Sequence, residues 1–457
     1  MAGRVIRIEP RLETTRLASV SASVGGLVLA LLIGAALLRA AGADPLAAYG
    51  AILREAFGTP SDWAAGRFYG LSDTIVRATP ILLTGLGVLL GFKMRLWNIG
   101  AEGQLFMGAW AATGIALFVL SKDTPKPLML TTMALAGMLA GGLWALIPGV
   151  LKAWLGVNEI ITTLMLNYVA FQWISFFVVA GPWSERGFQL SPQFPESAWL
   201  PRLTDYAPQV PAFAGLTAHL GFVFGLVAAA ALWLILYRSR WGYEIRVIGD
   251  NPQAARYAGM NLARNILLVM FISGALSGLA GMSEVAGVVH RLQDRFSPGY
   301  GFSGIIAAWL AKLNPWAILL TAILFGGLLV GAKQLQPAGI AFMLQGVILF
   351  VVIGAEMLTH YRLVIARHQT VPGGLGAPAK LEATPTDPPT RGEGGHGPAP
   401  IPDQRPGRWH RHRHAHPVRH AGRNPGRAVG GAQPGRGRHD ADGGGLGVRR
   451  LPRHRQC

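Results

Sequence analysis

The chain has 457 residues, of which 51% are hydrophobic and only 14% are charged, and its mean hydropathy is +0.36. A soluble domain carries about a quarter charged residues, so this composition excludes an ordinary soluble globular protein. The single cysteine, Cys457, excludes an intramolecular disulfide and a thiolate metal cluster. The net charge is +18, but residues 368–457 carry 15 Lys and Arg against 6 Asp and Glu, so a net +9 lies in that segment.

Long apolar runs dominate the sequence before residue 368. A run of about 20 apolar residues spans the hydrocarbon layer of a membrane. The runs lie at about 17–39, 78–92, 97–120, 127–151, 159–180, 216–237, 264–288, 301–313, 315–333 and 339–358. They predict an all-α polytopic membrane protein with about ten transmembrane helices. The two shortest runs, 78–92 and 301–313, are typical of broken helices near a transport path.

The first run has some features of a cleaved signal peptide. Four arginines precede it, and Ala41-Gly42-Ala43 resembles a cleavage site. A signal peptide has an apolar region of about 7–15 residues, and this run has about 22. The length therefore predicts a retained first helix.

Lys and Arg residues in short loops predict the orientation, because they collect on the cytoplasmic side of a membrane. The arginine-rich residues 1–16 are placed in the cytoplasm, and 17–365 form the transmembrane domain. The basic loop 238–264 falls on the cytoplasmic side, and the loop 181–216 falls outside. The expected location is the cell (inner) membrane, with both termini cytoplasmic. Three arginines fall outside, against the rule: Arg54, Arg67 and Arg77.

Small residues recur at i, i+4 spacing on several predicted helices. The sets are Gly87 and Gly91, Gly137 and Gly141, and Ser273, Ser277 and Gly281. Small residues let membrane helices approach closely, so these positions predict helix packing rather than chemistry.

Residues 366–457 differ from the rest of the chain in composition. They are rich in Pro, Gly, Arg and His, as in RWHRHRHAHPVRHAGR, and have almost no apolar content. Such a segment cannot bury a core, so we expect a disordered basic tail. Translation of a GC-rich gene in the wrong frame would produce this composition. The alternatives are a basic arm that binds nucleic acid or anionic lipid and a His-rich metal-binding tract.

The stretch LWNIGAEGQ, residues 96–104, places polar side chains where the chain enters a predicted span. On a helix that starts near Trp97, Asn98 and Glu102 share a face as i and i+4, while Gln104 points elsewhere. A polar face at membrane depth indicates a translocation path. The alternative is that Glu102 caps backbone N–H groups at the start of its helix.

Further polar residues lie in two other predicted spans. Glu159, Thr163 and Asn167 in VNEIITTLMLNY are spaced i, i+4, i+8, so they form a ridge along one side of a helix. Asn158 is a candidate N-cap for that helix. Glu284, in GMSEVAG, either belongs to the path or reaches water near the outer end of its span.

The segment RSRWGYEIRVIGDNPQAARYAGMN, residues 238–261, is basic, amphipathic and cytoplasmic in this topology. The pattern predicts, in order, a turn at 249–252, an N-cap at Asp250 or Asn251, a helix over 252–257 and its end at Gly259. A short cytoplasmic helix at the membrane favours docking to a soluble partner. A membrane-surface helix without a partner is the alternative.

Motifs of common enzymes are missing. The sequence has no Gly-x-x-x-x-Gly-Lys-[Ser/Thr] phosphate loop and no His-Glu-x-x-His. Outside the tail only three histidines occur, His219, His290 and His360, and they suggest no Ser/His/Asp set. These observations favour a transport protein that is not itself an enzyme. A secondary transporter or channel that works without an ATPase remains an alternative, and the candidate docking helix argues against it.

Several segments resemble a known family in the same order along the chain. They are LWNIGAEGQLFMGAW, NEIITTLMLNY, GYEIRVIGDNPQAARYAGMN and SGALSGLAGMSEVAG followed by GYGFSGIIAAWLAKLNP. They resemble the permease subunits of ABC importers of the ribose/branched-chain amino-acid permease superfamily, over about residues 15–365. The NIGAEGQ form is similar to the subgroup that works with basic-membrane-lipoprotein-type binding proteins and imports nucleosides. Import of a sugar or a branched-chain amino acid by the same fold is the alternative.

The resemblance implies a type II ABC importer-like permease and its partners. Two permease subunits, often two different chains, form the path, and an extracytoplasmic substrate-binding protein delivers the substrate. Two cytoplasmic ABC ATPases bind ATP and Mg²⁺, so this chain itself is expected to bind no cofactor and no nucleic acid. The GDNPQAARYAG loop resembles the family's coupling helix, which docks on the ATPase. The implied coupling residues are Arg246, Gly249, Asn251, Pro252, Ala255 and Gly259.

Overall fold

The computed structural model describes residues 4–10, 16–185, 188–334 and 339–367. All of these belong to one compact unit, Met1–Val371. The expected tail falls on residues 366–457, and its part from 368 onward lies outside the described residues.

Helices make up most of the described chain. In chain order they are α1 Arg16–Ala40, α2 Pro45–Phe57, α3 Pro60–Ala64, α4 Tyr69–Lys93, α5 Ala101–Gly114, α6 Lys126–Leu155, α7 Glu159–Ser175, α8 Gly221–Arg238, α9 Arg240–Asp250, α10 Pro252–Tyr257, α11 Leu262–Glu284, α12 Tyr300–Leu310, α13 Pro315–Gly331 and α14 Ile340–His360. Short π-helical turns extend three of them, at Ile115–Val119, Phe176–Ala180 and Val285–Val289. Two strands, β1 Arg4–Pro10 and β2 Tyr361–Arg367, pair antiparallel, an element that the all-α prediction did not contain.

The number of membrane spans differs from the prediction. All ten predicted runs fall on helices. However, only five helices in the described part are long and apolar enough to cross a membrane, or six if the bent pair Gly25–Ala40 and Pro45–Ala64 counts as one span. That pair bends by 112° at its break, while α12 and α13 are apolar but shorter. A count of ten spans is therefore not confirmed, because several apolar runs form short or bent helices.

Helix α4 lies at the centre of the bundle and is longer than predicted. It runs over 25 residues, and 89% of its most apolar window is buried inside the protein. The predicted run, 78–92, captured only its C-terminal part. Arg77 therefore lies within a membrane helix, which corrects its assignment to an outside loop.

Helices α5, α6 and α11 pack closely through glycine. A Cβ added at Gly141 would lie only 2.8 Å from the Cα of Gly278, and one at Gly137 would lie 3.2 Å from the carbonyl oxygen of Gly278. Real side chains at these positions would force the helices apart. The predicted packing role of Gly137 and Gly141 is confirmed, since close backbone contact needs small residues.

The long helices run in alternating directions between the two ends of the bundle. At one end, the α9–α10 end, Gly249 packs on the backbone of Lys93, and the rings of Trp97 and Trp309 stack with centroids 5.6 Å apart. The other end, the cap end, carries the described parts of the connection 181–220. There Arg202 donates to the carbonyl oxygen of Gly287 at 2.7 Å.

Candidate functional site

The stretch 96–104 forms a buried hydrogen-bond network instead of a helical face. Helix α5 begins at Ala101, so Asn98 precedes it. The side chains of Asn98 and Gln104 exchange two hydrogen bonds of 2.9 Å, and Asn98 Nδ2 also donates to Ser273 Oγ at 2.9 Å. The prediction that Asn98 shares a helical face with Glu102 while Gln104 points elsewhere is wrong. The chain turns at Gly100, which brings Asn98 back against Gln104.

The predicted polar ridge on α7 exists and faces this same stretch. Thr163 Oγ1 accepts from the backbone N–H of Ile99 at 3.3 Å. Asn167 Oδ1 accepts from Gly103 N–H at 2.8 Å, and its Nδ2 donates to the Ile99 carbonyl oxygen at 3.0 Å. These bonds satisfy backbone groups of Ile99, in the turn before α5, and of Gly103, in the first turn of α5, that have no helical partner.

Glu159 belongs to the same ridge at its α9–α10 end. Its carboxylate pairs with Lys152 Nζ at 2.8 Å and accepts from Trp97 N–H at 3.5 Å. Asn158 accepts from the Ile160 N–H at 2.9 Å, so the predicted N-cap is confirmed. We call the set that ties α5, α7 and α11 together the 96–104 network: Asn98, Glu102, Gln104, Glu159, Thr163, Asn167 and Ser273.

Glu102 caps a helix, but not its own. Its side chain is buried, and Oε2 accepts from the backbone N–H of Gly301 at 2.5 Å. Gly301 lies in the first turn of α12. A carboxylate is stabilised at a helix N-terminus by the free N–H groups and the helix dipole. The alternative that Glu102 caps a helix was therefore correct, but the capped helix is α12 and not α5.

Glu284 lies in a second buried cluster, formed with Arg77 and Tyr300, which we call the Arg77 cluster. Arg77 Nη1 lies 3.3 Å from Glu284 Oε1 and donates to the Tyr300 hydroxyl at 2.6 Å. The Glu284 side chain is 1% exposed, so the alternative that it reaches water is wrong. Its second oxygen, Oε2, is buried without a hydrogen-bond partner.

Two cavities flank the Arg77 cluster on its cap side. One has a volume of about 390 Å³ and is lined by Arg77, Arg295, Phe296, Lys333 and Phe342 among others. The other, of about 160 Å³, shares Arg77 and Lys333 with the first. The larger volume falls in the range of small-molecule sites. Of the three residues of the Arg77 cluster, Arg77 is the one that lines these two cavities.

Sequence reasoning identified Glu284 but missed Arg77, Tyr300 and Lys333. Arg77 looked like a loop residue because the apolar run begins at Ala78. The polar sequence YGLSDTIVR before it is nevertheless the first part of α4. Only the packing of α4 against α11 and α12 shows that Arg77 reaches Glu284 and Tyr300.

The predicted docking helix forms at the α9–α10 end. Helix α10 covers Pro252–Tyr257, and the Asn251 side chain caps it by accepting from Gln253 N–H at 3.0 Å and Ala254 N–H at 3.1 Å. Gly259 follows with φ +77°, a conformation that favours glycine. The predicted bounds, N-cap and end of this helix are confirmed. Tyr257, at its last position, is 94% exposed and was not among the predicted site residues.

The residues before α10 form a second helix where a turn was predicted. Gly249 lies inside α9 and not in a turn. Glycine is needed there because a Cβ would collide with the backbone of Lys93 and Met94. Arg246 donates to the Leu236 carbonyl oxygen, which ties α9 back to α8. Ala255 is fully buried and attaches α10 to the bundle, while Pro252 occupies its first position.

The membrane-length apolar helices define a polytopic membrane protein. Residues 70–353 match the family described as branched-chain amino acid transport system / permease component, and the chain belongs to it. The chain is thus a multi-pass permease subunit of an ABC importer. Such subunits are transport components and not catalysts.

Three relatives illustrate the range of named substrates. A glucose ABC transporter permease protein of Haloferax volcanii is 34% identical over 79% of this chain and 94% of its own length. A guanosine ABC transporter permease protein of Bacillus subtilis is 34% identical over 68% of this chain and 84% of its own. A nucleoside ABC transporter permease protein of Lactococcus lactis is 30% identical over 69% and 84%. No solved structure matches the chain.

Proposed function

We propose that this permease subunit imports nucleosides. The observation that carries the proposal is the lining of the 390 Å³ cavity, where Phe296 and Phe342 lie with Arg77 and Arg295. Aromatic side chains stack on planar bases, and guanidinium groups donate hydrogen bonds to carbonyl and hydroxyl oxygens. The guanosine and nucleoside permeases among the relatives support the same substrate class.

A sugar is the second candidate substrate. The relative from Haloferax volcanii, named a glucose permease, aligns over a larger share of this chain than the two nucleoside permeases do. The same cavity could surround a hexose, because arginine and lysine donate to hydroxyl oxygens as readily as to a base. A branched-chain amino acid, which the family's description names, is supported by no relative given above.

Uptake measurements separate these substrates. Cells with and without the gene would be given radiolabelled guanosine, with excess unlabelled glucose, ribose or leucine in parallel samples. Gene-dependent uptake that resists all three competitors supports a nucleoside substrate. Loss of guanosine uptake in the presence of one competitor, or no guanosine uptake at all, would discard that substrate while the family membership stands.

We propose that the path passes the Arg77 cluster and that Glu284 belongs to it. The unpartnered Glu284 Oε2 supports this role, since a buried polar atom without a partner is rare unless it has a ligand or water to bind. The other candidate path residues have contacts that favour a positioning role, in which they hold α5, α7 and α12 around the path: Asn98, Glu102, Glu159, Thr163 and Asn167.

The α9–α10 end is proposed as the docking site for the cytoplasmic ATPase. Gly249 and Arg246 fix α9 on the bundle, while Asn251, Pro252 and Gly259 define α10. The exposed Tyr257 ring then projects from a rigid base, as anchor residues of interfaces do. ATP and Mg²⁺ would bind to the partner ATPase and not to this chain.

Docking can be tested by co-purification. Tyr257→Ala should lower the amount of ATPase that co-purifies with the permease, because a large exposed aromatic anchor is lost. The matched control is Tyr206→Ala, since Tyr206 is 47% exposed at the cap end. Equal ATPase recovery with both variants would reject docking through α10.

We further propose that the α9–α10 end and both termini face the cytoplasm, in the cell (inner) membrane. The cap end would then meet an extracytoplasmic substrate-binding protein, and a second permease subunit, of a different chain, would complete the path. Cys457 is the only cysteine, so a Cys457→Ser background permits single-site labelling. In intact cells, a membrane-impermeant maleimide should label Arg67→Cys and spare Arg256→Cys; the reverse pattern would invert the orientation.

A further inference from the structure

A large cavity at the α9–α10 end takes no part in the proposed path. It has a volume of about 690 Å³ and lies between the end of α8, the start of α9 and the start of α11. Its lining is unusually basic and aromatic. The side chains with the relevant chemistry are Tyr237, Arg238, Arg240, Tyr243, Glu244 and Arg264.

The three arginines differ in their contacts, since the Arg238 guanidinium lies over the Trp233 ring, 5.8 Å from its centroid. Arg238, Arg240 and Arg264 are all exposed, and within the described ranges no ion pair joins any of them to a carboxylate. The one carboxylate in the lining, Glu244, accepts a hydrogen bond from Asn265 Nδ2 at 2.9 Å. Three positive charges against one negative charge give the lining of the cavity a net positive charge.

Two helix N-termini add to this positive potential. Ser239 caps α9 by accepting from Gly242 N–H at 3.0 Å, and Asn261 caps α11 by accepting from Arg264 N–H at 2.9 Å. Both capping residues line the cavity. The N-terminus of a helix carries a partial positive charge that favours phosphate-like groups. Here this partial charge adds to the positive charge of the arginines.

The cavity lies at the level where a membrane meets water. Helix α8 ends and α11 begins at it, and both are long and apolar enough to cross a membrane. Tyr237 and Tyr243 are 46% and 56% exposed at its rim. Tyrosine concentrates at the headgroup level of membranes, and basic residues next to a span attract anionic lipid.

We propose that this cavity binds the headgroup of an anionic phospholipid. The guanidinium groups would donate to the phosphate oxygens, and the tyrosine hydroxyls would donate to glycerol or phosphate oxygens. The location favours a lipid over an acidic protein segment, because Arg238 and Arg264 lie at the ends of the membrane-length helices α8 and α11. Arg240 begins α9 beside them, and the cavity also contacts Ala258 and Gly259 just after α10. A bound lipid would hold the end of α8 to the start of α11 and so steady the base of α9 and α10. The inference does not depend on the transported substrate.

Native mass spectrometry of the purified full chain tests the proposal. The chain would be incubated with phosphatidylglycerol, phosphatidylcholine or inorganic phosphate, and the bound fraction would be measured. We expect a preference for phosphatidylglycerol that falls roughly fivefold for each arginine removed in Arg240→Gln and Arg264→Gln, since a basic residue near a membrane surface contributes about that factor. Arg240→Lys, which keeps the charge, should retain most of the preference.

The matched control is Arg256→Gln, which removes an exposed charge from α10 outside the cavity. It should leave the lipid preference unchanged. Equal binding of both lipids, an equal loss in the control variant, or a preference that survives the double variant would overturn the proposal. So would displacement of the lipid by millimolar phosphate, which would identify a free-anion site. If Arg240→Gln and Arg264→Gln lowered the amount of ATPase that co-purifies and left the lipid preference unchanged, the cavity would instead bind the partner protein.

Discussion

The 96–104 network and the Arg77 cluster are both built around a buried carboxylate, and they differ in how their polar atoms are satisfied. In the network, Glu102 caps α12 and Asn167 accepts from a backbone N–H in the first turn of α5. None of its buried side-chain N or O atoms lacks a partner. In the Arg77 cluster, Glu284 Oε2 has none, and Arg77 is 26% exposed towards two cavities.

This difference supports the proposed difference in role between the two clusters. A fully satisfied buried network fixes a unique arrangement of helices, because any change leaves a donor or acceptor without a partner. A cluster that is satisfied only in part keeps capacity for a solute or water. The comparison supports the proposal that the 96–104 network is structural and that the Arg77 cluster contacts the solute, and each part of that proposal can be tested.

The largest expected effect comes from Arg77→Gln. It leaves the Glu284 carboxylate buried without a compensating charge, which costs about 3–5 kcal/mol of stability. Thermal unfolding in detergent would measure the loss, with the exposed Arg67→Gln as control. The double variant Arg77→Gln/Glu284→Gln should recover most of the stability without recovering uptake. If Arg77→Gln were as stable as the Arg67→Gln control, the ion pair would not contribute to the stability of the fold.

Asn167→Ala is expected to have the next largest effect on stability. It leaves the Gly103 N–H and the part-buried Ile99 carbonyl oxygen without their side-chain partner. The buried N–H accounts for most of the expected loss of about 1–3 kcal/mol. The control on the same helix is Asn158→Ala, an N-cap variant expected to cost about 1 kcal/mol. Uptake per folded molecule should stay close to wild type in both. Loss of uptake by a stable Asn167→Ala protein would move this residue from the scaffold to the path.

Glu102→Gln and Glu284→Gln compare the two carboxylates directly. Glutamine keeps an acceptor oxygen for Gly301 N–H, so Glu102→Gln should lose about 1 kcal/mol, the difference between a charged and a neutral hydrogen bond. Glu284→Gln should lower uptake by about tenfold, equivalent to ~1.4 kcal/mol, with a smaller change in stability. Uptake assays normalised to folded protein would show the contrast. The reverse order of uptake defects would contradict the assignment.

The smallest effect is expected from truncation after Arg367. The segment from residue 368 has the composition of an unfolded chain and shows no resemblance to the permease family, so uptake and unfolding temperature should stay within experimental error. The test is uptake by a truncated protein expressed at wild-type level. A stable truncation that fails to transport would show that the tail has a function.

Local signals in the sequence predicted several elements correctly. Asn251, Pro252 and Gly259 marked the bounds of α10, because capping, an N1 proline and a left-handed terminal glycine act within a few residues. The ridge of Glu159, Thr163 and Asn167 followed from helical spacing alone. The predicted start of α5 near Trp97 was wrong, and the helix begins at Ala101. Asn98 precedes the helix because its side chain bonds to Gln104 on α5 and Ser273 on α11.

The sequence by itself determined the class of the protein, the positions of its apolar helices and the short helix α10, since hydropathy and capping are properties of neighbouring residues. Only the tertiary structure decided what each buried charge contacts. Glu102 and Gly301 are 199 positions apart, and Arg77 and Glu284 are 207 apart. No local pattern encodes such pairs, because they form only when α4, α5, α11 and α12 have packed together.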